Sequence, residues 1–524
     1  MTLIRGRAEG MLSLLVPLLA LGYAGLILVD VHLSPIDDHD FIATTLAGNW
    51  LTLDIDPSEG RFDPLTGQEV NLVALVSNTP FSYYAFNSVE LLLFAGLFAD
   101  LMRRFASRNQ ALATVLLLLA LPGFASAWFR LEVSERDSLV LFAVFLWSYW
   151  RFEAGRSCGY AVLALLAANL ALYYKETSFI LLGSFCLARL AAARSGGEPK
   201  TSRLDAVLLL SAALYVGLYY ALIYRHWGPV LYGASPVNPV LRAAKNLSAY
   251  ATWDPFLVFL SAPLAAWRLG SVLLKRAPLD PIGDPLLVAA IAYALAYIVL
   301  NIAEDYYWLP AYAFALPGVF YWARQPQIAT GRAWAIGSGL TLVFLVTGSI
   351  PTTLANIADY KYEPRNFNAM IAFLKADISA RPANEPVNLY LDGVSADGEL
   401  YVSLARFLVY AGLPADRFDL RSERPPNNVS RLGEWADKVH RSYSAFQSVT
   451  PSHPGTGDYL IVPPYGGRRL DADGLASLDG DYRLVFWTLS PLGIPNLSVR
   501  AILRELANGH VPAAQLDYAI FVKR

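Results

Sequence analysis

Charge is what this chain has least of. Asp, Glu, Lys and Arg make up 16% of its 524 residues, and hydrophobic residues make up 55%. A soluble globular chain carries about 25% charged residues. Charge in hydrocarbon is costly, so the deficit argues against an ordinary soluble protein and for a lipid environment. Cysteine is nearly absent. Cys158 and Cys186 both lie in or next to apolar segments, which argues against a disulfide framework or a paired-cysteine metal site and leaves packing as their role. The net charge of −2 gives no general attraction for nucleic acid. No GxSxG, Walker A or HExxH motif occurs, so the chain offers no nucleophile elbow, nucleotide P-loop or zinc-protease helix.

What is there is apolar sequence in blocks near the length of a bilayer span, about 20 residues. Candidate spans fall at 10–31, 86–103, 111–128, 138–151, 159–174, 178–193, 204–223, 256–274, 285–301, 309–323 and 333–351. Several are short and are expected to tilt or break. The first follows Arg5 and Arg7. It is long for the core of a signal peptide and no small-x-small cleavage site follows, so it reads as a retained helix. Twelve Trp and twenty-nine Tyr suit membrane interfaces and sugar-binding surfaces equally well.

Basic residues orient these spans. With the N-terminus cytoplasmic, the inner segments carry fourteen Lys and Arg, among them Arg103, Arg104, Arg151, Lys275 and Arg276. The outer loops carry seven over a greater length: Arg61, Arg130, Arg136, Lys175, Arg225, Arg242 and Lys245. The positive-inside rule favours this orientation in a plasma (inner) membrane. Residues 352–524 are richer in charge, Pro and Gly. Short apolar runs at Val387–Leu391, Tyr459–Val462, Tyr482–Trp487 and Tyr518–Val522 alternate there with helical stretches at Glu399–Ala411 and Ser498–Leu506, a small α/β pattern. The expected architecture is a polytopic α-helical membrane domain of about eleven spans over 1–351, with long outer loops at 32–85 and 224–255. An extracytoplasmic, or periplasmic, α/β domain follows over 352–524.

Four outer-loop motifs could carry chemistry. Asp37-Asp38-His39-Asp40 directly follows the first helix. Three carboxylates and an imidazole this close need a metal, a cationic partner or good solvation. They could supply a general base for an acceptor hydroxyl or hard oxygen ligands for a divalent ion, or form only a solvated acidic loop. Arg130, Glu132, Glu135, Arg136 and Asp137 share a short turn; Arg136 suits a phosphate or the first-loop carboxylates, while Ser134 and the acids after it also make a helix start. Lys175-Glu176 sits between two apolar spans, as a lipid-phosphate contact or an interfacial ion pair. Tyr224-Arg225-His226-Trp227, with Arg242 and Lys245 beyond it, mixes cations and aromatics, as a phosphate site or as interfacial anchoring. Glu304-Asp305 adds carboxylates beside Tyr306, Tyr307 and Trp308.

A first helix, Asp37-Asp38 opening a long outer loop, many further helices and a C-terminal α/β domain resemble the GT-C glycosyltransferases. These are multi-pass enzymes that use sugars linked to a lipid phosphate. The resemblance covers most of the chain as architecture. At residue level it rests on Asp37-Asp38 and, more loosely, on the Ser134–Asp137 and Lys175-Glu176 turns. It implies inverting transfer of a hexose or pentose from a polyprenyl-phosphate sugar to a glycan, lipid or protein acceptor at the outer face. Asp38 would be the general base, with Asp37 as its rival. His39, Asp40, Glu135, Arg136, Lys175, Glu176, Arg225, His226, Glu304 and Asp305 would line the substrates. Some members bind a divalent metal, and the first-loop cluster would permit Mg or Mn, although a second-loop Asp-x-Asp is absent. A lipid-linked glycan polymerase or ligase is the nearest alternative within the enzymes. A transporter or a non-catalytic cell-envelope assembly protein are the others; a transporter should carry ionisable groups near the membrane midplane.

Overall fold

In hydrocarbon the backbone must satisfy its own hydrogen bonds, so apolar blocks fold as helices. The computed structural model describes residues 2–57, 60–194, 202–226, 238–382, 385–395, 398–424, 449–464, 468–470, 474–475, 477–490 and 493–524. The N-terminal part contains α1 (Thr2–Leu28), α2 (His39–Ala43), a two-residue hairpin of β1 (Ile55–Asp56) and β2 (Arg61–Phe62), α3 (Gln68–Ala74), α4 (Pro80–Met102), α5 (Arg108–Leu119), α6 (Pro122–Phe129), α7 (Ser134–Gly155), α8 (Cys158–Tyr174), α9 (Ser178–Arg194) and α10 (Ser202–Leu222). It continues with α11 (Pro239–Trp253), α12 (Ala262–Leu273), α13 (Gly283–Leu300), α14 (Tyr312–Ala323), α15 (Pro326–Ala329), α16 (Arg332–Phe344) and α17 (Ile350–Ser379).

Among the described residues, four helices are singly long and apolar enough to cross a membrane: Pro80–Met102, Ser202–His226, Gly283–Leu300 and Arg332–Ser379. Two bent pairs raise the number to six. One of the candidate spans contains a sharp bend, and another follows one. The block at 111–128 is α5 and α6, bent by 69°. Pro122 opens α6 and holds Leu121 extended before it, as proline does to its predecessor. The block at 256–274 follows α11 through a 109° bend, its first turn widened to a π-helix over Leu257–Ser261. The block at 309–323 is wrapped in protein: α14 and the turn before it are buried almost throughout.

Residue 352 lies inside α17, which runs without a break from the membrane part toward the sheet. The C-terminal part is a six-stranded sheet of β3 (Val387–Leu391), β4 (Phe418–Ser422), β5 (Thr450–Pro451), β6 (Tyr459–Val462), β7 (Tyr482–Trp487) and β8 (Ala519–Lys523) in the order β5-β4-β3-β6-β8-β7. β5, β4, β3 and β6 are parallel, and β8 and β7 join antiparallel. The parallel strands β3 and β6 read as near-continuous apolar runs because both their faces are covered. Helices α18 (Glu399–Tyr410) and α19 (Val499–Ala507) complete the domain.

One ion cluster ties the loops at this end. Arg136, at the start of α7, is fully buried. It meets Glu90 of α4 at 2.9 Å, Glu69 of α3 at 3.4 Å and Asp137 at 3.3 Å. It also donates to the carbonyls of Ala127, Arg130 and Leu131, which fixes the turn between α6 and α7. Removing one partner of a buried pair costs roughly 3–5 kcal/mol because the other charge is stranded. Arg136→Leu is therefore expected to lower the thermal midpoint sharply in a tryptophan-fluorescence melt of the detergent-solubilised protein. A midpoint equal to the parent's would show that the cluster does not hold the loops.

Candidate active site

The first loop turns its adjacent carboxylates in opposite directions. Asp37 takes a left-handed backbone, φ 68°, a conformation that costs most residues about 1–2 kcal/mol and that Asp tolerates better. After this turn the Asp38 side chain folds back. It accepts the Ser34 N–H at 2.8 Å and the Tyr84 hydroxyl at 3.3 Å, and the residue is 1% exposed. Asp37 instead faces a cavity and pairs with Arg130. Burial, then the neighbouring Asp37, push the Asp38 carboxyl up to about 7 despite its hydrogen bonds.

The cavity measures about 530 Å³ and lies where the first loop, the α6–α7 turn, the α8–α9 turn and the C-terminal domain meet. Its walls carry Asp37, Asp40, Asp54, Asp63, Glu132 and Glu135, with Arg61, Arg130, Lys175 and Arg406 among them and Tyr306 and Tyr307 beside them. Each of these cations has a carboxylate partner. Arg130 pairs with Asp37 and Arg406 with Asp40. Lys175 meets Glu135 at 3.0 Å and Arg61 meets Asp63 at 3.8 Å. Burial works against the Lys175 charge, but Glu135 and Glu176 outweigh it and hold its pKa above the ordinary lysine value. Glu132 is different. Burial and the facing Asp37, Asp40 and Asp54 push its carboxyl well above the usual range, because each of them disfavours a further negative charge.

Hydrogen bonds brace these walls. The Leu65 N–H donates to the Tyr173 carbonyl at 3.0 Å and the Thr66 hydroxyl to the Tyr174 carbonyl at 2.9 Å. The Tyr215 hydroxyl donates to the Phe62 carbonyl at 2.7 Å. Gly123 is required where α6 meets the loop before α14: a Cβ there would stand 2.2 Å from the Asp305 carbonyl oxygen. That close contact sets Tyr306 near Arg130, whose guanidinium carbon lies 5.6 Å from the ring centre. The C-terminal domain closes the cavity through α18, which packs on α2 and supplies Arg406.

The residues singled out from sequence therefore divide. Asp37, Asp40, Glu135 and Lys175 line the cavity. Asp38 does not. His39 is buried and held below its ordinary pKa by burial, 3.7 Å from Asp40 and 3.9 Å from Glu399. Arg136 is committed to its carboxylates, so the structure does not offer it to a phosphate. Glu176 is not among the lining residues. Arg225 and His226 lie exposed at the end of α10, away from the cavity; Trp227 falls outside the described residues. Asp305 bonds Ser126 at 2.8 Å and Asn356 at 2.6 Å, and Glu304 faces a different cavity.

Asp54, Asp63 and Arg406 stand in none of the sequence motifs, and Arg61 stood out only as an outer-loop cation. Arg130 and Glu132 were visible as parts of the 130–137 turn, with no role of their own. Arg406 could not be seen, because it joins Asp40 across 366 residues of chain. Among the described residues no three His, Cys, Asp or Glu gather as a metal-holding group. Asp38 turns away from the cavity that Asp37 and Asp40 line, and those two are each paired with an arginine, so the first-loop carboxylates do not fit the Mg or Mn site that the cluster suggested.

No family model matches the chain, and no curated protein matches it. Solved structures similar to it include ArnT from Cupriavidus metallidurans bound to undecaprenyl phosphate, 14% identical with a TM-score of 0.49, covering 97% of each chain. The same protein in the apo state is 15% identical with a TM-score of 0.47, covering 98% of each chain. The archaeal oligosaccharyltransferase AglB from Archaeoglobus fulgidus, in complex with an inhibitory peptide and a dolichol-phosphate, is 11% identical with a TM-score of 0.46. That match covers 97% of this chain and 88% of AglB.

Proposed function

We propose that the chain is a membrane glycosyltransferase that moves a sugar from a polyprenyl phosphate to an acceptor hydroxyl. In this reading the N-terminus is cytoplasmic and the C-terminal domain extracytoplasmic. ATP and nucleotide sugars are absent there, so the donor arrives already activated on lipid. The observation that carries the reading is one cavity, beside span-length apolar helices, in which carboxylates and paired cations face each other.

Asp37 takes the acceptor proton as the acceptor oxygen attacks the anomeric carbon. The bond from that carbon to the phosphate oxygen breaks, and the lipid phosphate leaves with the electron pair. Arg130, Lys175, Arg61 and Arg406 are the cations within reach to stabilise that charge. Attack opposite the leaving group inverts the anomeric centre. Asp37 is preferred to Asp38 because only Asp37 faces the cavity.

Purified protein should transfer sugar from a polyprenyl-phosphate donor. Asp37→Asn is expected to lower the rate about 100-fold or more, within the range of general-base catalysis, while Glu132→Gln keeps most of it. If Asp37→Asn is as active as the parent and Glu132→Gln is dead, the base is Glu132. If both are fully active, the assignment of the base to Asp37 fails.

Asp38 should show itself in stability instead. Its carboxyl is raised from 3.8 to about 7 in the fold, so its contribution is fully present below pH 4 and is lost as pH rises through 7. Asp38→Asn removes that titration. The parent's melting midpoint should fall relative to the variant's between pH 5 and pH 8. Parallel curves for the two would show that Asp38 is not buried as an acid.

A further inference from the structure

A second and larger cavity, about 1040 Å³, opens between α11, the loop at 301–304 and α19. Its lining includes Arg242 and Lys245 from α11, and Arg500 and Arg504 from α19, with Glu304 as the one carboxylate among the described lining residues. Arg500 also lies over the Trp253 ring at 5.5 Å, and Arg504 meets Glu505 at 3.3 Å. The walls are joined where the Thr352 hydroxyl donates to the Asn496 side-chain oxygen at 3.4 Å. None of these cations serves the proposed transfer site.

The helices on both sides are built like interfacial ones. α19 has no buried residue. Val499, Leu503 and Leu506 follow one another at i, i+4 and i+7, and each is more than half exposed. An amphipathic helix of a soluble domain turns such a stripe into the core; this one turns it outward, beside Arg500 and Arg504. Leu489, Leu497 and Val511 extend the exposed apolar surface. α11 repeats the pattern: Val240, Leu241 and Leu247 are exposed and Arg242 and Lys245 lie among them. Because α11 meets the apolar helix after it at 109°, it runs along the membrane plane if that helix crosses. A basic amphipathic helix in that position binds anionic lipid. Burial and the neighbouring Arg504 disfavour the charge on Arg500, a penalty that an anion in the cavity would relieve.

We infer that this cavity seats the phosphate headgroup of an anionic membrane lipid, whose chains lie against the apolar stripes of α11 and α19. The site holds the C-terminal domain against the leaflet and is separate from the transfer cavity. The occupant is a phosphate carried on acyl chains, and the cavity's position between two outward apolar stripes favours it over free phosphate.

The test uses the full-length protein in neutral detergent and native mass spectrometry with added phosphatidylglycerol or phosphatidylcholine. Phosphatidylglycerol should bind the parent, and the Arg500→Gln, Arg504→Gln double variant should bind it about tenfold more weakly. Phosphatidylcholine should distinguish the two little. Leu503→Ser with Leu506→Ser keeps every cation and should also weaken phosphatidylglycerol retention, so the inference does not depend on one variant folding. Equal phosphatidylglycerol binding by either double variant and the parent overturns it. Displacement of the lipid by millimolar inorganic phosphate would make the site one for free phosphate and overturn the lipid assignment. Neither measurement reads sugar transfer, so this inference and the transferase reading fail independently.

Discussion

A single guanidinium, that of Arg136, sets the geometry on which the candidate site depends. A charge with no exposed surface persists only when paired, and its partners come from three separate elements: Glu69 of α3, Glu90 of α4 and Asp137 of α7 itself. Its bonds to the Ala127, Arg130 and Leu131 carbonyls hold the α6–α7 turn in one shape. That turn presents Arg130 and Glu132 to the cavity, and the next residues of α7 place Glu135 against Lys175. The residue that looked in sequence like a phosphate ligand is thus the one that aims the others.

The same helix carries a second cluster at its far end. Glu153 meets the buried Arg189 of α9 at 2.8 Å, and Asp205 of α10 lies 3.8 Å from that guanidinium. Seventeen residues separate Arg136 from Glu153, roughly 25 Å at the helical rise of about 1.5 Å. That is close to the ~30 Å of a hydrocarbon core. Between the two clusters α7 carries apolar, aromatic and small hydroxyl residues until Arg151. The bundle is fastened by charge at both ends and by packing between, as membrane-spanning segments require.

Legibility in the sequence followed burial. Tyr459–Val462 and, apart from Asn388, Val387–Leu391 are apolar runs because both faces of their strands are covered, and both were readable as strands with their observed limits. β4 was missed because Phe418–Ser422 alternates buried with half-exposed positions, and its Asp419 and Arg421 dilute the apolar signal. The span at 111–128 hid a bend because one proline, Pro122, hardly lowers the mean hydropathy of an apolar block while it breaks the helix. In the site, spacing brought Asp37 and Asp38 to notice but could not separate them. Their separation depends on one left-handed residue, and Asp is compatible with that conformation without demanding it. Arg406 carried no local sign of its role, since only the packing of α18 on α2 brings it to Asp40.

The pairing inside the cavity bears on how a phosphate could enter it. Among the described residues, each cation there already faces a carboxylate: Arg130, Arg406, Lys175 and Arg61. An incoming lipid phosphate must therefore take a guanidinium or ammonium from its acid rather than fill a vacancy. Such an exchange keeps the cation compensated and so avoids most of the penalty of breaking a buried pair. At Arg130 the exchange has a geometric consequence. The guanidinium that holds Asp37 also lies beside the Tyr306 ring on the cavity wall. Under the proposed reaction, a phosphate that draws Arg130 away leaves the Asp37 carboxylate free to accept a hydrogen bond from the acceptor hydroxyl, so the exchange that seats the donor also opens the base.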